Sequence, residues 1–245
     1  MTMWSIAKRE LRFYFSTLIG YMVMGSYLVI NTLILWFFDT PYKLINSRFG
    51  DLSSFFEINP WLFIFLIPAL AMRSFSEERS TGTIEVLLTK PLKAIEIYGG
   101  KFLGVTLILV VTVLPTTFNL IALNNLLAVD SELDWGILFS SYLALSFIGF
   151  IFLSFSLCSS LLFRNQVTSF LAASLFCFIN FFLWGFFAEL TSTQWLYNTI
   201  NSLGIQAHYL SLRRGVINLK DLVYMIGLIF IFSLLGIELI KKGQD

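Results

Sequence analysis

RSFSEERSTGTIEVLLTKPLKAIEIYGGK, residues 73–101, is a charged stretch in a mostly apolar chain, and it carries five basic residues: Arg73, Arg79, Lys90, Lys93 and Lys101. The apolar runs flanking it have approximate cores at Ile58–Phe75 and Phe102–Leu123. Further out lie four more, at Thr17–Phe38, Gly136–Phe163, Val167–Ala188 and Leu222–Ile240. A membrane-spanning helix needs about 20 mostly apolar residues, since each adds about 1.5 Å across about 30 Å of hydrocarbon. Five of the six runs meet that length, whereas the second is shorter and contains Pro68. Which side of the membrane holds residues 73–101 therefore fixes the count. With six spans and a cytoplasmic N-terminus, the inner segments hold eleven basic residues: Lys8, Arg9, Arg12, Arg73, Arg79, Lys90, Lys93, Lys101, Arg164, Lys241 and Lys242. The outer segments hold Lys43, Arg48, Arg213, Arg214 and Lys220. Basic residues resist translocation, so this asymmetry selects six spans with both termini cytoplasmic. Deleting the second span would move the five basic residues of the 73–101 stretch outside.

Composition agrees. Apolar residues make up 57% of the 245 and charged residues 13%, against about 25% charged in an average soluble domain. The expected fold class is an all-α polytopic membrane protein forming one transmembrane domain over residues 1–245, with the lipid bilayer as solvent. A net charge of +1 gives no basis for nucleic-acid binding. Cys158 and Cys177 fall inside apolar runs, far from CxxC spacing, and read as small buried hydrophobes. The first apolar run is too long for the h-region of a cleaved signal peptide. Residues 1–15 interleave bulky apolar side chains with Lys8, Arg9 and Arg12, which suits an amphipathic helix on the inner surface. A plain basic flank of the first span is the other reading.

Intramembrane chemistry finds no footing here. The sequence has no HExxH, no GxSxG and no pair of aspartates inside spans, and we expect neither a catalytic residue nor a metal site. His208, the one histidine, sits in the last outer loop with no partner evident from sequence. Glu238 is the one acid inside a span, about one turn from Lys241 and Lys242, which can satisfy it. Mid-span polar residues are amides and small hydroxyls. Asn31, Asn119 and Asn180 suit interhelical hydrogen bonds, or alternatively the lining of a substrate pathway. Gly99-Gly100-Lys101-Phe102 is no P-loop, because Ile95 stands where its first Gly is required and Phe102 where Ser or Thr is required. Gly100 and Gly104 form a GxxxG, which serves either as a local packing notch or as a dimer contact.

Within 73–101, Ser76 followed by Glu77, Glu78 and Arg79 suits a helix start, with the acids at the positive end of the dipole. Ile84, Leu87 and Leu88 continue at helical spacing until Lys90-Pro91 stops the helix. The expectation is a short cytoplasmic amphipathic helix inside a loop at 76–98, acidic at its start, apolar along one side and shaped to dock on a partner.

Residues Glu77 to Pro91 closely resemble the E-R-x-x-G-T-I-E-x-L-L-x-x-P signature of ABC-2 type permeases, and they follow the second span as in that family. Arg214-Gly215-Val216-Ile217 resembles the family's S-R-G-V-I-D segment, with Arg213 in place of Ser and Asn218 in place of Asp. The resemblance implies an ABC-2 (type V exporter-like) permease fold in the bacterial cytoplasmic (inner) membrane. It also implies a partner ABC ATPase subunit that holds the ATP and Mg, with no cofactor bound by this chain itself, and a second permease-type subunit. A heteromer is favoured over a homodimer. The residues implied to meet the ATPase are Glu77, Glu78, Arg79, Thr81, Gly82, Thr83, Ile84, Glu85, Leu87 and Leu88, with the acids meeting basic residues of the ATPase. The interval 189–219 is implied to hold short re-entrant helices over the outer face. Within the family, length and overall character are most similar to the permease subunit of the gliding-motility ABC transporter of Bacteroidota. The expected function is to couple a partner's ATP hydrolysis to export or force transmission. The alternative is a non-transport membrane scaffold.

Overall fold

In the computed structural model of the chain, the residues described are 2–44, 52–83, 92–126 and 134–242. They form helices joined by short turns: α1 (Met3–Ser16), α2 (Leu18–Thr32), α3 (Ser53–Ala71), α4 (Arg73–Ser80), α5 (Ala94–Val113), α6 (Phe118–Leu126), α7 (Trp135–Leu162), α8 (Gln166–Phe178), α9 (Trp184–Glu189), α10 (Gln194–Asn201), α11 (Ile205–Arg213) and α12 (Leu219–Lys241). Six stretches are long and apolar enough to cross a membrane: Leu18–Phe37, Ser53–Ser80, Ala94–Asn125, Trp135–Leu162, Gln166–Glu189 and Leu219–Lys241. The count of six agrees with the hydropathy. The second run, the shortest in the sequence, belongs to a 28-residue stretch and is among the most buried of the six. The sequence reading cut it short because the apolar run ends before the helix does: α4 adds eight residues, RSFSEERS, with only a break at Met72.

Chemistry explains how this broken span is held. Pro60 lacks an N–H, so the Phe56 carbonyl one turn earlier loses its helical donor. The buried phenol of Tyr209 on α11 donates to that carbonyl instead. At the Met72 break, the first N–H groups of α4 have no intrahelical acceptor. The Ser160 hydroxyl of α7 accepts from Phe75 N at 2.9 Å and Ser76 N at 3.0 Å, and donates to Met72 O at 3.0 Å. Ser76 does not cap a helix, since its own hydroxyl donates back to Met72 O within the turn. The helix start expected at Ser76 is therefore corrected. The helix begins at Arg73 and ends at Ser80, because Gly82 turns the chain with φ of +71°, and the expected continuation through Ile84, Leu87 and Leu88 lies outside the described residues. That left-handed conformation is the usual glycine terminator of a helix.

The second and fourth spans, α3 and α7, form the centre. Phe63, Ile64, Ile67, Leu70, Ile148, Ile151 and Phe152 are all at or below 1% exposure in this core. The outer spans leave Leu18, Leu171, Leu175, Val223 and Phe230 more than half exposed. Bare apolar flanks at this level suit a lipid solvent. Cys158 and Cys177 are buried free thiols.

Several polar residues inside the spans hydrogen-bond to other helices or to their own. The Tyr27 hydroxyl and Asn31 Nδ2 both donate to Asn59 Oδ1, at 2.5 and 3.2 Å, joining α2 to α3. Trp36 Nε1 donates to Asn119 Oδ1 at 2.9 Å, joining the first span to the end of the third. Asn180 Nδ2 donates to Phe176 O within its own helix. Glu238 pairs with Lys241 at 2.5 Å, one turn away, as the spacing predicts.

Candidate functional site

The charged stretch emerges from a buried ionic knot where α1, α4 and α5 converge. Its foundation is the docking of α1 on α5. Met3, Ile6, Ala7 and Glu10 recur at helical spacing, and they face the two glycines of the GxxxG. A Cβ on Gly100 would lie 2.7 Å from Ile6 Cβ and 2.8 Å from Met3 O. One on Gly104 would lie 2.8 Å from Glu10 Cβ and 3.2 Å from Ala7 O. The GxxxG is thus a packing notch for the chain's own amphipathic N-terminal helix. That helix is seated in the protein along one side, with Ile6, Ala7, Glu10 and Tyr14 buried. Tyr14 donates its hydroxyl to Leu70 O of α3. Burial, reinforced by the Glu10 carboxylate, pushes this phenol's pKa upward and keeps it a donor.

Close approach of α1 brings Glu10 to Lys101. The lysine is fully buried, with Nζ 3.1 Å from Glu10 Oε1, 3.0 Å from Glu78 Oε1, in hydrogen bond to Ser74 O, and 4.7 Å from the centre of the Phe75 ring. Arg9 completes the knot from the outside, 2.5 Å from Glu78 Oε1 and 3.6 Å from Glu10 Oε1. A buried ammonium holds its charge only where carboxylates and carbonyls replace its water, and here two carboxylates and one carbonyl do so. Arg73 lies over the Phe13 ring at 3.2 Å and pairs with Glu77. Arg79 reaches the other way, donating to Leu161 O at the end of α7. A cleft of about 270 Å³ opens between α1 and α4, with Thr81 and Thr83 among its lining residues.

Six of the ten expected docking residues can now be located. Glu78 and Arg79 are engaged inside this chain, Glu77 is paired with Arg73, and Thr81, Gly82 and Thr83 are exposed. Ile84, Glu85, Leu87 and Leu88 lie outside the described residues. The sequence reading missed Lys101, Glu10 and Ser160. Lys101 appeared only as one of several basic residues, and its partners lie 91 and 23 positions away. The usable signal was a lone acid at position 10 on the apolar-basic face of α1.

A second polar cluster lies at the opposite end of the bundle, where α10 and α11 fill most of the interval 189–219. His208, for which the sequence offered no partner, has several. Its Nδ1 is 2.6 Å from Asp221 Oδ1, its Nε2 is 2.9 Å from Ser202 O, and its ring stacks on Tyr224 at 4.0 Å. Ser211 donates to the other Asp221 oxygen at 2.7 Å. With an acceptor at each ring nitrogen, both bonds form together only when the ring carries both protons. Nε2 faces a backbone carbonyl, and the cluster acts as a clamp between α11 and α12.

Six apolar spans, and a charged segment rooted in an ionic knot at one end, define a multi-pass membrane protein. The family model described as ABC-2 family transporter protein matches residues 13–242, and the chain belongs to that family, the membrane permease components of ABC transporters. Membership implies partnership with an ABC ATPase subunit. A search of the curated proteins finds no match to the chain.

Proposed function

We propose that this chain couples ATP hydrolysis on a separate ATPase subunit to movement of the spans, with α4 and the segment after it as the transmitting element. One observation carries the reading: α4 is bonded on both sides. Glu78 ties it to α1 and α5 through Arg9 and Lys101. Arg79 and Ser160 tie it to the end of α7. A push on the segment after Gly82 would therefore reach α1 and the third and fourth spans together rather than dissipate in a loop. Two of the expected docking residues take a modified role. Glu78 and Arg79 act as anchors within the permease, while Glu77, Thr81, Gly82 and Thr83 remain exposed to a partner. The excess of basic residues at this end favours a cytoplasmic location, and with it both termini inside and an inner-membrane setting. The narrower reading is a permease of gliding-motility type paired with a second, different membrane subunit. It rests on likeness in length and overall character.

Affinity purification of the detergent-solubilised protein tagged at Asp245 tests the coupling reading. A nucleotide-binding subunit is expected to copurify. If no ATPase comes down under conditions that retain other membrane partners, the reading fails and a scaffold role takes its place.

A further inference from the structure

The third and fourth spans separate in the half of the bundle away from the ionic knot. At Gly149 they touch so closely that a Cβ there would lie 2.9 Å from Leu109 Cδ2 and 3.7 Å from Phe63 Cε2. Beyond that contact the third span changes from α5 to a 3-10 turn over Leu114–Thr117. Pro115 has no N–H and its ring crowds the carbonyl one turn before it, which is the ordinary cause of such a break. Between the two spans lies a cavity of about 150 Å³. Phe63, Leu109 and Leu145, all at or below 5% exposure, form its floor, and Val113, Leu114 and Tyr142 are among its walls. Its rim is open, with Leu114 56% exposed.

Nothing in the lining calls for a polar guest. No charged residue contributes to it. The Ser146 hydroxyl donates to Tyr142 O at 2.8 Å and the Thr117 hydroxyl to Leu114 O at 2.7 Å, so both are taken by their own helices. The Tyr142 hydroxyl is buried and shows the cavity no surface. An apolar cavity of ~150 Å³ excludes water and takes a guest about the size of benzene. A helix of a partner subunit is too thick: at about 10 Å across and 5.4 Å per turn, one turn needs roughly 400 Å³. A thread of hydrocarbon fits. Because the open side lies within membrane spans, acyl chains meet it at bulk concentration.

We propose that this cavity is a binding site for one acyl chain of a membrane phospholipid, entering from the leaflet opposite the ionic knot. A chain on the bare outer faces of the bundle touches protein on one side only. Here it touches the second, third and fourth spans at once, and in lipid such packing contacts set the affinity between apolar groups. The third and fourth spans are also the pair that α4 joins at the other end, through Glu78 with Lys101 and through Ser160. The bound chain sets their spacing at one end while α4 holds it at the other.

Native mass spectrometry of the delipidated full-length protein, titrated in detergent with palmitoyl-oleoyl-phosphatidylcholine, tests this. In wild type the first lipid should bind at least about tenfold more tightly than the second, the effect of about 1.4 kcal/mol of added packing. Ser146→Phe, reaching in from an exposed position on the fourth span, should abolish that difference, and so should Leu114→Trp from the third. Ser146→Ala and Val223→Phe, the latter on a bare face of the last span, should keep it. Dihexanoyl-phosphatidylcholine, with the same headgroup on short chains, should show no tighter first step. Equal first and second steps in wild type overturn the proposal, as does a tight first step that survives both filling variants. A tight first step for the short-chain lipid also overturns it, since the headgroup would then be what binds. A benzophenone side chain at Ser146, irradiated in nanodiscs, should carry a phospholipid adduct; an adduct with another protein chain instead would overturn the proposal in favour of a partner's side chain.

Discussion

Replacing Lys101 by Met is the most informative single perturbation of this molecule. The methionine keeps an unbranched apolar stem against Phe75 and removes only the ammonium. Nζ is fully buried and bridges Glu10 at 3.1 Å and Glu78 at 3.0 Å, whose side chains are 10% and 16% exposed. Without it, two nearly buried carboxylates converge with only the half-exposed Arg9 between them, and the Ser74 carbonyl loses its donor. Breaking a buried pair by removing one partner costs about 3–5 kcal/mol. For a chain of this size each kcal/mol moves the midpoint by about 2–4 °C, so the expected loss is roughly 6–20 °C. The assay is thermal unfolding of detergent-purified protein followed by size-exclusion chromatography. A triple variant, Lys101→Met with Glu10→Met and Glu78→Met, should recover most of the loss, because replacing a whole buried network by apolar side chains of similar volume is close to neutral in free energy. A shift below about 2 °C for Lys101→Met alone, less than 1 kcal/mol on the same scale, would refute the buried-knot argument. So would a triple variant no more stable than the single one.

Three further outcomes follow from the same geometry. Gly104→Val puts a branched side chain where a Cβ already lies 2.8 Å from Glu10 Cβ; overpacking of about 1–3 kcal/mol should release α1, read as faster tryptic cleavage at Lys8, Arg9 and Arg12 with the spans intact. Gly82→Ala meets nothing within 4 Å, so its cost is the left-handed backbone alone, about 1 kcal/mol, and Gly82→Asn should cost less; a thermal shift assay separates them. His208→Ala strands Ser202 O and one side of Asp221, and the loss of about 1–3 kcal/mol should appear as faster amide exchange across α10 and α11, leaving the α4 end unchanged.

The spans were legible because a bilayer imposes one simple rule on composition, and the six apolar runs obey it. The helix at the N-terminus was half legible: bulky apolar residues interleaved with Lys8, Arg9 and Arg12 suit an amphipathic helix, a plain basic flank of the first span fits the same residues, and only the fold shows Ile6, Ala7 and Tyr14 buried along one side. What lay beyond the sequence was whatever depends on contacts between distant positions. Lys101 looks like any flanking lysine until Glu10 is folded beside it, and Ser160 looks like a packing serine until the Met72 break presents it with two orphan N–H groups. Glu78 shows the limit most clearly. Its motif marks it as important, yet only the fold shows that one of its oxygens is spent inside the chain and the other is not. The boundary of α4 was misjudged because apolar spacing carried the helix from Ser76 on to Lys90-Pro91, whereas α4 starts at Arg73 and Gly82, in the left-handed conformation, ends it after Ser80.

The central claim, that the segment rooted in α4 couples this permease to a separate ATPase, is tested most directly by ATP hydrolysis in reconstituted proteoliposomes. Wild type should be compared with a Glu77→Gln, Ile84→Asp double variant. Glu77 is 40% exposed and among the described residues pairs with Arg73 one turn away on its own helix, so its loss should leave the fold intact. The account predicts that the variant assembles its spans normally but supports at most about a tenth of wild-type hydrolysis, the effect of losing roughly 1.4 kcal/mol of coupling contacts. Unchanged hydrolysis in the variant, with the ATPase still bound, would contradict it.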